Sequence, residues 1–316
     1  MKAVFLDYAT MGGELDLTEL YSHFANLELF ADSSDDEIPE RIADAEFVFT
    51  NKIKLTDDLI QGAQKMRYIG LTATGTDNID LVAAERNNIA VANIRAYCTE
   101  SVVEHVMGAL LMLAHNLHLY DASVKAGNWQ QANEFCMLNH PIRQLTNMTL
   151  GIVGYGVLGQ GVAAAARAFG MQILVSARPG VAANGERVPF DQVLEQADVI
   201  TLHCPLTDTT RGLFNADTLS RMKAGSILIN TARGALVDAA ALVEALQSGH
   251  LAGAAIDVLA EEPPVNGNPL LDYAGDNLLI TPHIAWGTDQ ARQNAIDELT
   301  ANAVAFINGE QRCRVV

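Results

Sequence analysis

Leu150-Gly151-Ile152-Val153-Gly154-Tyr155-Gly156-Val157-Leu158-Gly159 decides the fold. An apolar strand runs into three glycines spaced G-x-G-x-x-G, and residues 160–169 continue as a small-residue helix. In that context Gly154 makes the tight turn, Gly156 lets the backbone approach a pyrophosphate, and Gly159 permits close helix–strand packing. The pyrophosphate would rest on the free N–H groups of the helix N-terminus, flanked by Tyr155, Val157 and Leu158. The alternative is a glycine-rich turn with no ligand.

Downstream, further strands are expected at 172–176, 198–202, 226–230, 253–258 and 277–281, mostly separated by helical segments. Six strands alternating with helices predict a doubly wound parallel sheet. Upstream, 2–7, 46–51, 68–72 and 89–93 read as strands of shorter β/α units. The glycine turn therefore opens the second unit of the chain. The expected division is residues 99–286 for the dinucleotide-binding domain and 1–98 plus 287–316 for a smaller substrate domain. A cleft between them would be the natural active site. Ser101-Val102-Val103-Glu104 reads as a capping box. Val102, Val106, Leu110, Leu113 and Leu117 then repeat at helical spacing, and 127–147 reads as a polar connection.

Length and composition set bounds. The chain has 316 residues, 49% of them hydrophobic, and a net charge of −18. That charge argues against nucleic acid, whose phosphates require a basic surface. No apolar run approaches a membrane span, and Met1–Asp7 reads as a strand rather than a signal peptide. A cytoplasmic location is expected. Cys98, Cys136, Cys204 and Cys313 lie far apart and suggest neither zinc nor a disulfide framework. No metal is expected.

Three residues each follow a strand, where open α/β sheets bind ligands. Arg233 follows Asn230-Thr231-Ala232, Glu262 lies in Ala260-Glu261-Glu262-Pro263, and His283 lies in Thr281-Pro282-His283. A carboxylate beside an imidazole favours its protonated form. Such a pair can deliver a proton to a carbonyl oxygen, and a forked guanidinium can grip a carboxylate beside it. Asp257 either orients a neighbour, contacts a cofactor amide or caps the next turn. At the end of the second strand of the glycine-rich unit, the position that binds ribose hydroxyls through an acidic residue in NAD enzymes holds Ser176 or Ala177, and Arg178 follows. A missing carboxylate and a nearby guanidinium predict NADP(H) as the preferred cofactor, with NAD(H) as the alternative.

Over nearly its whole length the chain resembles the D-isomer-specific 2-hydroxyacid dehydrogenases. The resemblance is carried by 151–159, His203-Cys-Pro-Leu-Thr207, Asn230-Thr-Ala-Arg-Gly234, Asp257-Val-Leu-Ala-Glu-Glu-Pro263 and Thr281-Pro-His283. It implies a Rossmann domain inserted in a flavodoxin-like α/β substrate domain, usually in a homodimer. It also implies that Arg233 binds substrate, that Glu262 pairs with His283, and that His283 is the acid/base. His203, Pro205, Thr231, Ala232 and Asp257 then fall on the cofactor side. The resemblance further implies that Thr74, Gly75 and Thr76 present backbone N–H groups to the substrate carboxylate. Their wording, with His283-Ile284-Ala285-Trp286, is most similar to the hydroxypyruvate/glyoxylate reductase (glycerate dehydrogenase) branch. Two departures stand out: Ala177 at the usual aspartate position, and Arg95 where many members have proline. The chain also stops soon after its last helix, unlike many phosphoglycerate dehydrogenases. The function expected is reduction of a small 2-keto acid to the D-2-hydroxy acid. Alternatives are another keto acid such as phenylpyruvate or pyruvate, or a nucleotide-sensing binding protein like the co-repressors built on this fold.

Overall fold

The structure is a computed structural model and describes residues 1–181 and 183–316. The chain divides into two compact units, Met1–Cys98 with Gly287–Val316, and Thr99–Trp286.

In the smaller unit, β1 (Lys2–Phe5), β2 (Asn26–Leu29), β3 (Phe47–Thr50), β4 (Tyr68–Leu71) and β5 (Ala90–Ala92) form one sheet. Its order is β2-β1-β3-β4-β5 and every pairing is parallel, the flavodoxin-like order. Parallel strands are covered on both faces, so β3 (FVFT) and β4 (YIGL) are continuous buried runs rather than alternating ones. One face carries Phe24, Phe47, Phe49 and Tyr68. The final helix, Asp289–Ile307, lays Phe306 against them, 5.0 Å from the Tyr68 ring and 5.8 Å from Phe47. Gly70 admits this helix: a Cβ there would stand 2.7 Å from Leu299.

In the larger unit, β6 (Thr149–Val153), β7 (Gln172–Ser176), β8 (Arg187–Val188), β9 (Val199–Leu202), β10 (Ser226–Asn230), β11 (Leu251–Ile256) and β12 (Leu278–Ile280) form a sheet. Its order is β12-β11-β10-β9-β6-β7-β8, again all parallel. This is the doubly wound Rossmann order with one further strand. The direction of winding reverses between β6 and β9, so the crevice for a ligand opens beyond their carboxyl ends.

Three local expectations change. The helix Thr99–His115 starts before Ser101, which is buried and donates its hydroxyl to the Ala285 carbonyl at 2.7 Å. Ser101 is therefore a packing contact and not an N-cap. Val102, Val106, Leu110 and Leu113 are buried, but Asn116 turns left-handed (φ 51°) and leaves Leu117 exposed on a second helix. The segment read as a polar connection exposes Trp129, Phe135, Leu138 and Ile142. The helix Thr99–His115 instead packs on the helix Val157–Ala168, where Gly161 faces Val103.

Candidate active site

The glycine turn shows three different environments. Gly154 has φ 101°, and a Cβ there would lie 2.4 Å from both the Cys204 nitrogen and the His203 carbonyl carbon. Only glycine fits between the ends of β6 and β9. At Gly159 a Cβ would meet the Gly154 carbonyl at 2.2 Å, so the helix Val157–Ala168 sits directly on the turn. Above Gly156 there is nothing within 4 Å. No side chain caps this helix N-terminus. A bare backbone with uncapped amides fits a pyrophosphate. Tyr155 and Leu158 are half-buried beside it, and Val157 is exposed.

At the end of β7, Ser176 and Ala177 are both buried, and the Ser176 hydroxyl donates to the Ala177 carbonyl at 2.7 Å. Neither offers a polar group outward. Arg178 is exposed. At the end of β9, the His203 backbone N–H donates to the Val153 carbonyl at 2.8 Å, and its ring meets the Thr201 hydroxyl at 3.0 Å. Desolvation of the ring pushes its pKa down to about 4, so it is neutral at pH 7. The Pro205 carbonyl accepts from the Thr210 hydroxyl at 2.8 Å.

Beyond β10, buried Asn230 shapes the next turn. Its oxygen accepts from the Ala232 N–H at 3.0 Å and its amide donates to the Arg233 carbonyl at 2.9 Å. Arg233 donates to the Ala232 carbonyl at 2.8 Å and is half-buried. The Thr231 hydroxyl is buried with no partner, the state expected of a group that faces a ligand. Gly234 is what brings this turn to its neighbour: a Cβ there would fall 2.0 Å from the Leu259 carbonyl carbon and 2.3 Å from the Ala260 nitrogen.

That neighbouring loop carries the acid. Glu262 accepts from the Leu259 N–H at 2.7 Å through one oxygen and meets His283 Nδ1 at 2.6 Å through the other. With Nδ1 engaged, Nε2 is the nitrogen left for a reacting group. His283 has φ 57°, a left-handed conformation uncommon outside glycine, though histidine enters it more readily than most residues. Asp257 holds it there. The His283 N–H donates to the Asp257 carbonyl at 2.7 Å. The Asp257 carboxylate accepts from the Thr281 hydroxyl at 2.5 Å and from the Ile284 and Ala285 N–H groups at 2.9 Å each. With a side chain 1% exposed and these bonds around it, Asp257 orients this loop. Sequence reading did not find His105, whose Nε2 lies 3.3 Å from the Thr281 hydroxyl and 3.9 Å from Asp257. It sits far upstream in an apolar helix, with nothing local to mark it.

Thr74, Gly75 and Thr76 belong to the smaller unit. The Thr74 hydroxyl donates to the Ile94 carbonyl at 2.9 Å, and Asn93 donates to the Thr74 carbonyl at 2.7 Å. Arg95 reaches Asn93 at 3.4 Å. Among the described residues no group of three or more His, Cys, Asp and Glu side chains could hold a metal, and no single helix is long and apolar enough to cross a membrane.

A doubly wound sheet, a glycine turn with bare amides and a carboxylate–imidazole pair beyond the strand ends define a dinucleotide-dependent oxidoreductase. Residues 107–285 match the family model described as D-isomer specific 2-hydroxyacid dehydrogenase, NAD binding domain. The chain is 40% identical over 311 residues to the glycerate dehydrogenase of Methylorubrum extorquens, covering 98% of this chain and 97% of that one. It is 35% identical over 316 residues to the hydroxypyruvate reductase of Blautia hydrogenotrophica, covering 98% of each. A solved glyoxylate reductase from Paecilomyes thermophila superposes with a TM-score of 0.84 at 27% identity, covering 99% of this chain and 98% of that one. The chain belongs to the D-isomer specific 2-hydroxyacid dehydrogenase family, and it is an oxidoreductase acting on the CH–OH group with a nicotinamide dinucleotide.

Proposed function

We propose that this protein reduces hydroxypyruvate and glyoxylate to the corresponding 2-hydroxy acids, with NADPH preferred over NADH. The observation that carries this reading is the 2.6 Å Glu262–His283 pair, on a loop packed against the Arg233 turn. The named relatives at 35% and 40% identity support the choice of substrate.

When bound, the reduced nicotinamide supplies the hydride to the carbonyl carbon. His283 Nε2 delivers the proton to the carbonyl oxygen. Glu262 fixes the ring through Nδ1, which leaves Nε2 to meet the carbonyl oxygen. Arg233 binds the substrate carboxylate, and its forked donors suit the adjacent oxygen too. The turn Thr74–Thr76 is assigned a second anion-binding role through its N–H groups. The glycine turn 154–159 holds the pyrophosphate. His203, Pro205, Thr231 and Ala232 line the cofactor side, with neutral His203 adding no charge there. Cofactor preference rests on buried Ala177 and exposed Arg178 at the end of β7.

A homodimer is part of the proposal. Phe135 is 90% exposed and Leu138 76%, with Trp129 and Ile142 nearby in sequence, and a second copy would cover them. Sedimentation as a monomer at micromolar concentration would rule that out. A cytoplasmic setting is proposed from the unpaired thiols of Cys136, Cys204 and Cys313.

The test is the initial rate of loss of reduced-nicotinamide absorbance with hydroxypyruvate, glyoxylate, pyruvate and phenylpyruvate, each with NADPH and NADH. Highest kcat/KM with hydroxypyruvate or glyoxylate and NADPH supports the reading. A clear preference for pyruvate or phenylpyruvate overturns the substrate, and a preference for NADH overturns the cofactor.

A further inference from the structure

A cavity of about 500 Å³ lies beyond the ends of β7 and β9, on the side of the glycine turn. Arg178, which directly follows β7, lines one side, and Arg211, in the loop that follows β9, lines it too. β6 runs between those two strands, so the cavity lies on the carboxyl-end side of the sheet, beside the crevice where an open α/β sheet takes a dinucleotide.

The other polar side chains around it are already engaged. Asp191 pairs with Arg221 at 2.8 Å. Asn215 and Thr218 cap one helix reciprocally. The Thr209 hydroxyl meets that of Thr207 at 3.0 Å. Among the described residues, neither Arg178 nor Arg211 has a side-chain hydrogen bond or ion pair. The chain carries 38 acidic and 20 basic residues, yet these two guanidiniums line one cavity with no carboxylate paired to either among the described residues, which leaves both open to an incoming anion. Two guanidiniums converging on one cavity match a phosphomonoester, which offers three acceptor oxygens and up to two charges.

We propose that Arg211 is a second specificity-determining residue for the cofactor, closing with Arg178 on the 2′-phosphate of NADPH. This rests on the NADPH preference proposed above and extends it to a residue outside the β7 end. Pro179, Val181 and Leu213 give the same cavity apolar walls, suited to the adenosine that carries the phosphate.

Calorimetric titration with adenosine 2′,5′-bisphosphate and with 5′-AMP tests this without turnover. Wild-type protein should bind the bisphosphate more tightly than 5′-AMP. Arg211→Ala should cut that advantage about tenfold, as loss of a charge-assisted contact at an exposed site implies, and Arg211→Lys should keep part of it. If Arg178→Ala loses the advantage and Arg211→Ala keeps it in full, the role of Arg211 is wrong and the NADPH reading stands. If wild-type protein shows no advantage for the bisphosphate, the NADPH reading fails and Arg211 with it.

Discussion

Replacing Asp257 with asparagine changes one atom in a place with almost no solvent, and the structure says what that atom was doing. One carboxylate oxygen accepts from the Thr281 hydroxyl and the Ile284 N–H, and the other from the Ala285 N–H. The asparagine oxygen can keep the first two bonds. Its NH2 group would then face the Ala285 N–H, donor against donor. A buried donor left unsatisfied costs about 1–3 kcal/mol, and losing the charge weakens the bonds that remain. The expected destabilisation is about 2–3 kcal/mol, or a melting temperature lowered by roughly 5–10 °C at ~2–4 °C per kcal/mol. The consequence for chemistry is separate. Asp257 also accepts the His283 N–H through its carbonyl and anchors both residues after His283. Slackening them shifts the imidazole, and a misplacement of about 1 Å can cost ~100-fold. Melting curves and steady-state kinetics on Asp257→Asn read the two effects. Lowered kcat in protein still folded at the assay temperature is expected. A lowered melting temperature with wild-type kcat would refute the claim that Asp257 positions His283.

Two further outcomes follow from single sites. Gly234→Ala puts a methyl group 2.0 Å from the Leu259 carbonyl carbon, so the Arg233 turn and the Glu262 loop must separate; kcat/KM for the keto acid should fall about 100-fold, and an unchanged value would mean that the contact is loose. His203 has a folded pKa of about 4, below its unfolded value near ~6.5. As pH falls the unfolded chain takes the proton first, so the stability present above pH ~6.5 is lost progressively down to pH ~4, at most about 2 kcal/mol of it between pH 7 and pH 5. His203→Gln should show a smaller drop in melting temperature over that interval than the wild type, and an equal drop would show that His203 is not the group responsible.

The parts of this fold visible in the sequence are those whose cause is local. β3, β4, β9 and β10 are buried on both faces and announce themselves as apolar runs. β2 and β8 escaped notice because each lies at a sheet edge, is short and is largely exposed, so neither leaves an apolar run. The glycine turn was legible because close approach of β6 and β9 leaves no room for a Cβ. Glu262 and His283 were legible because each follows a strand end. The packing role of Gly234 was not, nor was His105, since the first acts through residues 259–260 and the second through Thr281, on segments far away in the chain. Asp257 was legible as a residue of the site, but its positioning role lies in carboxylate partners 24 to 28 residues further on, which no local pattern marks.

The most direct measurement compares the rate of reduced-nicotinamide loss with hydroxypyruvate for wild-type protein and His283→Ala, both shown by melting curves to be folded. The account predicts fast turnover for the wild type and a kcat lower by ~100–10,000-fold for the variant, the usual worth of a general acid. Turnover of His283→Ala close to that of the wild type would contradict it, because the 2.6 Å pair with Glu262 would then have no part in moving the proton.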